Sequence, residues 1–354
     1  MTTRSASPAN ALSRRSLLAV ASALAAATGA LNSTAAKAGE RDAPLPSWRA
    51  GPAKQAILEF VRASTERSSK DFVPPDDRIA TFDQDGTLWV EHPLYTQAMF
   101  ALYRVHAPAP QHAEWRNAEP FKSVLAGDRE ALGKFTEHDW FEIIGATHFG
   151  MTTDAFPALV RPWLAAAKDP RFKRPFTELV YQPMREVMEL LRANGFKTYI
   201  VTGGGQDFVR IYSQHVYGVP PEQVIGSVDQ TQYQMEDGKP VLMRLPKVAF
   251  IDDGDGKAIA IERVIGKRPY AAFGNSDGDR AMLEWTAAGD GPRLKMLVHH
   301  DDAQREYAYG PGGGLPDTKV GTFSEALMTQ AKSSGWSVIS MKNDWSRVFA
   351  FDGG

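Results

Sequence analysis

The sequence predicts an α/β fold, a doubly wound parallel sheet with a helical segment inserted after its first strand. Three observations predict it. Short apolar runs at 79–82, 197–201, 271–273 and 294–299 alternate with stretches whose apolar residues recur at helical spacing. Alternation of that kind gives parallel strands joined by crossover helices. The residues best suited to chemistry fall just after those runs or at helix starts, the end of such a sheet where ligands bind. A hydrophobic share of 43% supports an ordinary globular core.

Taken in order, residues 39–48 form a Pro- and Ala-rich linker. Over 52–67, Ala53, Ala56, Ile57, Phe60 and Val61 recur at helical spacing and predict a helix packed on the core. Residues 79–82 are the first strand. From 91 to 175 the pattern is helical, as at 92–106 and 155–167, which makes this span an insertion. A helix over 179–193 leads into a parallel strand over 197–201. Residues 224–248 alternate about the Asp237-Gly238 turn and predict a β-hairpin. A helix over 259–265, a strand over 271–273, a helix over 281–286 and a strand over 294–299 complete the set. No internal repeat is visible.

Residues 83–88 read Asp-Gln-Asp-Gly-Thr-Leu, directly after the first strand. Two carboxylates one residue apart can hold Mg²⁺ and attack phosphorus, and Asp-Gly supplies a tight turn. The same residues also suit a solvated surface turn. Further along come, in this order, Thr202-Gly203-Gly204-Gly205 after a strand, Lys257 opening a helical pattern, and Gly274-Asn275-Ser276-Asp277-Gly278-Asp279.

This ordered set resembles the haloacid dehalogenase superfamily of phosphohydrolases over about residues 79–300. The first motif is specific, the second and third are weak alone, and the order of all four is strong. The resemblance implies a Rossmann-like core over 79–90 and 176–354, with 91–175 as a helical cap over the active site. The helical cap and hairpin look like the phosphoserine-phosphatase-like branch. It further implies that Asp83 is the nucleophile, that Asp85 is general acid and then base, and that Thr202 and the Gly203 amide bind the phosphoryl oxygens. Lys257 would serve both phosphate and nucleophile. Mg²⁺ would be held by Asp83, the Asp85 carbonyl, residue 275 and waters, with Asp279 at the second acidic position of the loop.

One position departs from that pattern. The family usually has Asp where this chain has Asn275. An amide oxygen still ligates a hard cation but brings no charge, so metal binding is expected to be weak unless Asp277 or Asp279 compensates. A calcium loop on Asn275, Asp277 and Asp279 fails, because Arg280 stands where that loop needs Gly and Thr286 where it needs Glu.

The amino terminus carries Ser13-Arg14-Arg15-Ser16, an Ala-rich apolar stretch to about Leu31, and Ala36-Lys37-Ala38. This predicts an export signal over 1–38, of twin-arginine type and cleaved near Ala38; an ordinary secretory signal is the alternative. Its partner would be the twin-arginine export machinery, and the mature protein would be periplasmic or secreted. The apolar run is too short for a permanent span, so no membrane anchor is expected in the mature form. Cysteine is absent, which excludes disulfides and lipid attachment at the cleavage site. Removing 1–38 leaves 36 basic against 42 acidic residues, a balance of −6, so no nucleic-acid partner is expected.

Several other clusters draw the eye. Glu91 and His92, just past the first motif, are candidate substrate contacts. His299-His300-Asp301-Asp302 ends a strand and reads as a satisfied polar loop rather than a second metal site. His138, Trp140, Phe141, His148 and Phe149 read as packing inside the insertion. Residues 310–314 read as a flexible loop, and His112 and Trp115 as surface. The expected activity is a Mg²⁺-dependent phosphomonoesterase for small organic esters acting through an aspartyl-phosphate. A phosphotransferase or mutase, and a binding protein without catalysis, are the alternatives.

Overall fold

The structure, a computed structural model, describes residues 44–311 and 320–352. The chain divides into two units, Met1–Pro46 and Ser47–Gly354. Only residues 44–46 of the first are described; the expected export signal and part of the 310–314 loop lie outside the described residues.

The second unit is built on a seven-stranded sheet in the order β4-β3-β2-β1-β5-β6-β7. Its strands are β1 (Ile79–Phe82), β2 (Lys197–Gly205), β3 (Val224–Glu236), β4 (Lys239–Phe250), β5 (Ala271–Gly274), β6 (Leu294–His299) and β7 (Ser337–Ser340). All neighbours are parallel except β3 and β4, the expected hairpin. The four residues of β1 are buried on both faces, as a central parallel strand requires. Phe82 pairs with Ile200 on one side and with Phe273 on the other. The chain runs from β1 toward β4 and then returns to β5 on the opposite side of β1. That reversal opens a crevice at the carboxyl end of β1.

Helices cover the sheet where their apolar faces dictate. Helix α1 (Pro52–Thr65) starts with proline, whose missing N–H is harmless there, and buries Ala53, Ile57, Phe60 and Val61. The α7 helix (Gln182–Ala193) buries Met184, Val187, Met188 and Leu191, spaced three and four apart. Each such side chain contributes roughly 1.5–3 kcal/mol when fully buried. The α10 helix (Asp255–Ile265) ends at Gly266, whose φ of 66° suits a left-handed cap.

Between β1 and α7 lie α2 (Thr96–Val105), α3 (Phe121–Ala126), α4 (Arg129–Leu132), α5 (Glu137–His148) and α6 (Ala155–Ala166). Ala101, Val105, Trp115, Val124, Phe135 and Ile143 form an apolar cluster of their own. The insertion therefore carries a small core separate from the sheet's.

Some expectations shift. The helix foreseen over 92–106 begins at Thr96, because Pro93 bars His92 from helical backbone. Trp115, expected on the surface, is 8% exposed and stacks on Phe121 at 4.1 Å. It sits in a single 3₁₀ turn, Ala113–Arg116, too short to show a repeating apolar face, so no pattern marks it as core. His148 and Phe149 are buried as expected, whereas Phe141 is 43% exposed and is not packing residue. Helix α12 (Glu325–Ser333) and β7 extend the sheet beyond the last expected strand.

Candidate active site

All four motifs converge at the crevice. Asp83 follows β1 and is anchored by its own N–H, which donates to the Phe273 carbonyl at 2.9 Å. Its carboxylate is held at both oxygens. Lys257 Nζ donates to Oδ1 at 2.6 Å, and the Thr87 hydroxyl lies 3.2 Å from Oδ2. Burial and the charge of Asp279 raise the Asp83 carboxyl well above its ordinary range, against the pull of Lys257.

Lys257 sits in the first turn of α10 and is itself buried. Burial alone lowers an ammonium, but the charges of Asp279 and Asp83 outweigh it and hold Lys257 above its ordinary range. Its second bond goes to Asp279 Oδ1, also at 2.6 Å. Asp279 Oδ2 accepts from the N–H groups of Asn275 and Ser276, at 2.9 and 3.0 Å. With Oδ1 on the ammonium and Oδ2 on the loop, Asp279 positions Lys257 and shapes the acidic loop. The metal role expected for it does not fit this arrangement.

Asp85 stands on the turn that follows. Trp89 Nε1 donates to its Oδ1 at 2.6 Å, while burial raises the carboxyl to about 6. A carboxyl tuned to that range can both give and take a proton near neutral pH. Gly86 has φ of 71°, and a Cβ there would run into the Asn275 amide and the Glu91 carboxylate.

Thr202 lies in β2, and its Oγ1 accepts from the Gly204 N–H at 3.1 Å, which leaves the hydroxyl proton to donate elsewhere. Between Thr202 and Gly205 the pairing with β3 shifts register, lifting Gly203 and Gly204 out of the ladder. Gln97, in the first turn of α2, accepts from the Gly205 N–H at 2.8 Å. The insertion thus reaches the phosphate-binding turn expected from the sequence.

Asn275 follows β5 and is fully buried. Its Nδ2 donates to Glu91 Oε1 at 2.7 Å, and its Oδ1 lies 3.2 Å from the Thr87 hydroxyl. Thr87 therefore stands between Asp83 Oδ2 and Asn275 Oδ1. Among the described residues no cluster of three His, Cys, Asp or Glu side chains is placed to hold a metal. The donors that do converge are a carboxylate and an amide oxygen. Such hard oxygens fit Mg²⁺, which takes few protein ligands and keeps several waters.

Glu91 is buried beside this corner, and Tyr309 donates to its Oε1 at 2.6 Å. Burial holds its carboxyl well above the usual range. His92 turns away toward the Val320 carbonyl, 3.2 Å from Nε2, and packs on Tyr309; burial lowers it to about 4, so it is neutral. His300 donates from Nε2 to the Gly86 carbonyl at 2.7 Å and meets Glu306 through Nδ1 at 3.0 Å. The expected polar loop is thus satisfied, and it also pins the turn that follows Asp83. Sequence reasoning passed over Thr87, Trp89, Gln97 and Tyr309. Thr87 stands inside the first motif and was open to notice; Tyr309 follows a strand by ten residues with no pattern to mark it.

Residues 80–284 match the model of the haloacid dehalogenase-like hydrolase family. A conserved functionally unknown protein from Anaerococcus prevotii DSM 20548 is 18% identical, with a TM-score of 0.48 over 71% of this chain and 86% of that one. A protein with unknown function from Bordetella pertussis Tohama I is 16% identical, with a TM-score of 0.44 over 74% and 97%. Phosphoserine phosphatase from T. onnurineus is 18% identical, with a TM-score of 0.30 over 64% and 86%. No curated protein matches the sequence. The family match spans more than half of the chain and contains Asp83, Thr202, Lys257 and Asn275; the chain belongs to the haloacid dehalogenase-like hydrolase family.

Proposed function

We propose that the protein is an exported, Mg²⁺-dependent phosphomonoesterase for small organic phosphate esters. One observation carries this reading: the Asp83 carboxylate, clamped between Lys257 and Thr87, lies on the same tight turn as an Asp85 tuned to about 6.

Asp83 attacks phosphorus and forms an acyl phosphate as the ester oxygen leaves. Asp85, protonated, gives its proton to that oxygen. Asp85 then takes a proton from water as the water attacks the phosphorus of the aspartyl-phosphate. Phosphate departs and Asp83 is restored. Thr202 and the amides near Gly203 donate to the phosphoryl oxygens, whose charge is spread over three atoms. Lys257 favours the ionised form of Asp83 against its burial and faces the incoming anion. Asp83, the Asp85 carbonyl and Asn275 would hold Mg²⁺, which when bound supplies charge neutralisation for the phosphoryl group. A nearby cation also offsets the burial that otherwise raises the Asp83 carboxyl.

The twin-arginine pair Arg14-Arg15 and the apolar stretch after it support delivery by the twin-arginine machinery. Scavenging phosphate from small esters in the periplasm fits that location. The experiment is turnover of p-nitrophenyl phosphate and a panel of phosphomonoesters by the mature protein. Hydrolysis that stops with EDTA and returns with Mg²⁺ is expected. Ligand binding without turnover of any ester would overturn the reading in favour of a binding protein.

A further inference from the structure

We infer that Gln97, a residue of the insertion, is a substrate contact whose Nε2 donates to the ester oxygen as that oxygen leaves phosphorus, beside Asp85. The inference rests on the proposed function and deepens it, since Gln97 belongs to none of the four motifs.

Gln97 comes to the crevice from outside the sheet. It stands in the first turn of α2, and Phe100, three residues on, shares its side of that helix. Phe100 is fully buried and meets Phe208 with ring centroids 5.7 Å apart. Phe208 belongs to α8 (Gln206–Arg210), the helix that begins directly after Gly205. Just before α2, the Tyr95 hydroxyl accepts from the Gly321 N–H at 3.1 Å. These contacts seat the start of α2 against the glycine turn.

An amide has one accepting and one donating end, so its partners settle which way it faces. Oε1 of Gln97 accepts from the Gly205 N–H at 2.8 Å. The reverse orientation would set N–H against N–H. Nε2 is then left with protons to give, and among the described residues it has no acceptor.

Three groups crowd one face of Gly204. A Cβ there would stand 3.3 Å from Thr202 Oγ1, 3.4 Å from Gln97 Oε1 and 3.8 Å from Asp85 Oδ2. At Gly205 a Cβ would stand 2.8 Å from Nε2 itself, so the lack of a side chain is what lets the amide come so close. Thr202 is the donor to the phosphoryl oxygens. Asp85 is the acid for the leaving oxygen, and with Trp89 on Oδ1 its Oδ2 is the oxygen left for that proton. The atom that a phosphate ester places between a phosphoryl donor and an acid is its bridging oxygen. Negative charge grows on that atom as its bond to phosphorus breaks, and a donor already fixed in place stabilises the charge without reorganising.

The test is kcat/KM of the mature protein for a series of substituted phenyl phosphates, from p-nitrophenyl to p-methoxyphenyl, alongside thermal melts. This ratio reports the steps up to transfer onto Asp83, in which the ester oxygen leaves. p-Nitrophenolate departs readily, whereas p-methoxyphenolate needs its charge stabilised. Gln97→Met removes donor and acceptor at nearly constant length. It should lower kcat/KM about 10²-fold for the methoxy ester, as loss of one such donor does, and only a few-fold for the nitro ester. Gln97→Glu keeps an oxygen for the Gly205 N–H and should show the same steepened dependence on the leaving group. An equal loss on every ester, or no loss, would overturn the inference and leave Gln97 as a support for the glycine turn. A wild-type dependence in Gln97→Glu would overturn it as well, including where Gln97→Met folds poorly. A wild type that turns over no member of the series would instead sink the proposed function, and this inference with it.

Discussion

Lys257 Nζ stands 2.6 Å from Asp83 Oδ1, and the same ammonium stands 2.6 Å from Asp279 Oδ1. One buried cation thus holds Asp83, which follows β1, to the acidic loop that follows β5.

Removing that cation should cost stability as well as activity. In Lys257→Met, two buried carboxyls lose their shared partner, and breaking a buried pair costs about 3–5 kcal/mol. Urea melts at pH 7 should show a loss of that size. A melt unchanged at pH 7 would mean that the pair does not hold the crevice together.

The proton inventory of Asp85 should be readable in a pH–rate profile. Burial raises its carboxyl to about 6, and as general acid it acts when protonated. For an alkyl phosphate, whose leaving oxygen needs the proton, kcat/KM should therefore fall as pH rises through that region. Trp89 donates to the ionised form and so lowers the value. Trp89→Phe should move the alkaline limb to higher pH. A limb that stays in place would separate Trp89 from the acid–base step.

Asp252 should shape the dependence of stability on pH. It is fully buried, and burial raises its carboxyl from 3.8 to about 7 despite the opposing charge of Lys257. The folded state therefore binds the proton more tightly than the unfolded chain does. The favourable contribution is complete below the unfolded value and is lost as pH rises from about 4 to about 7. A shift of this size corresponds to on the order of 4 kcal/mol. Asp252→Asn should flatten that decline, measured as the difference between urea midpoints at pH 4 and pH 8. An equally steep decline in the variant would assign the proton to another group.

Export should depend on the arginine pair. With Arg14 and Arg15 both changed to Lys, the precursor should remain in the cytoplasm if the twin-arginine route carries it. Normal accumulation outside would favour the secretory alternative.

Much of the frame was legible because its signals are local. The run 79–82 with the hexapeptide after it placed Asp83 at the end of β1, and Asp237-Gly238 marked the hairpin. Those patterns depend on neighbours in sequence. The partners that complete the site do not. Tyr309 reaches Glu91 across 218 residues and His300 reaches the Gly86 carbonyl across 214, so no window of sequence contains both ends. Trp115 differs from its expectation for a related reason: it lies in a single 3₁₀ turn, where burial comes from stacking on Phe121 rather than from a repeating face. Asp279 shows the limit of motif reading. Its position in the acidic loop suggested a ligand, and only its contacts reveal an orienting partner for Lys257.

The central claim is that Asp83 becomes covalently phosphorylated. The measurement is rapid acid quench of the mature protein with a phosphomonoester labelled on phosphorus, followed by mapping of the label. Wild type should carry the label on Asp83. Asp83→Asn should carry none and should lose about 10³-fold or more in kcat, since its amide cannot form the acyl phosphate. Turnover by Asp83→Asn within about tenfold of wild type, or label on another residue, would contradict the account.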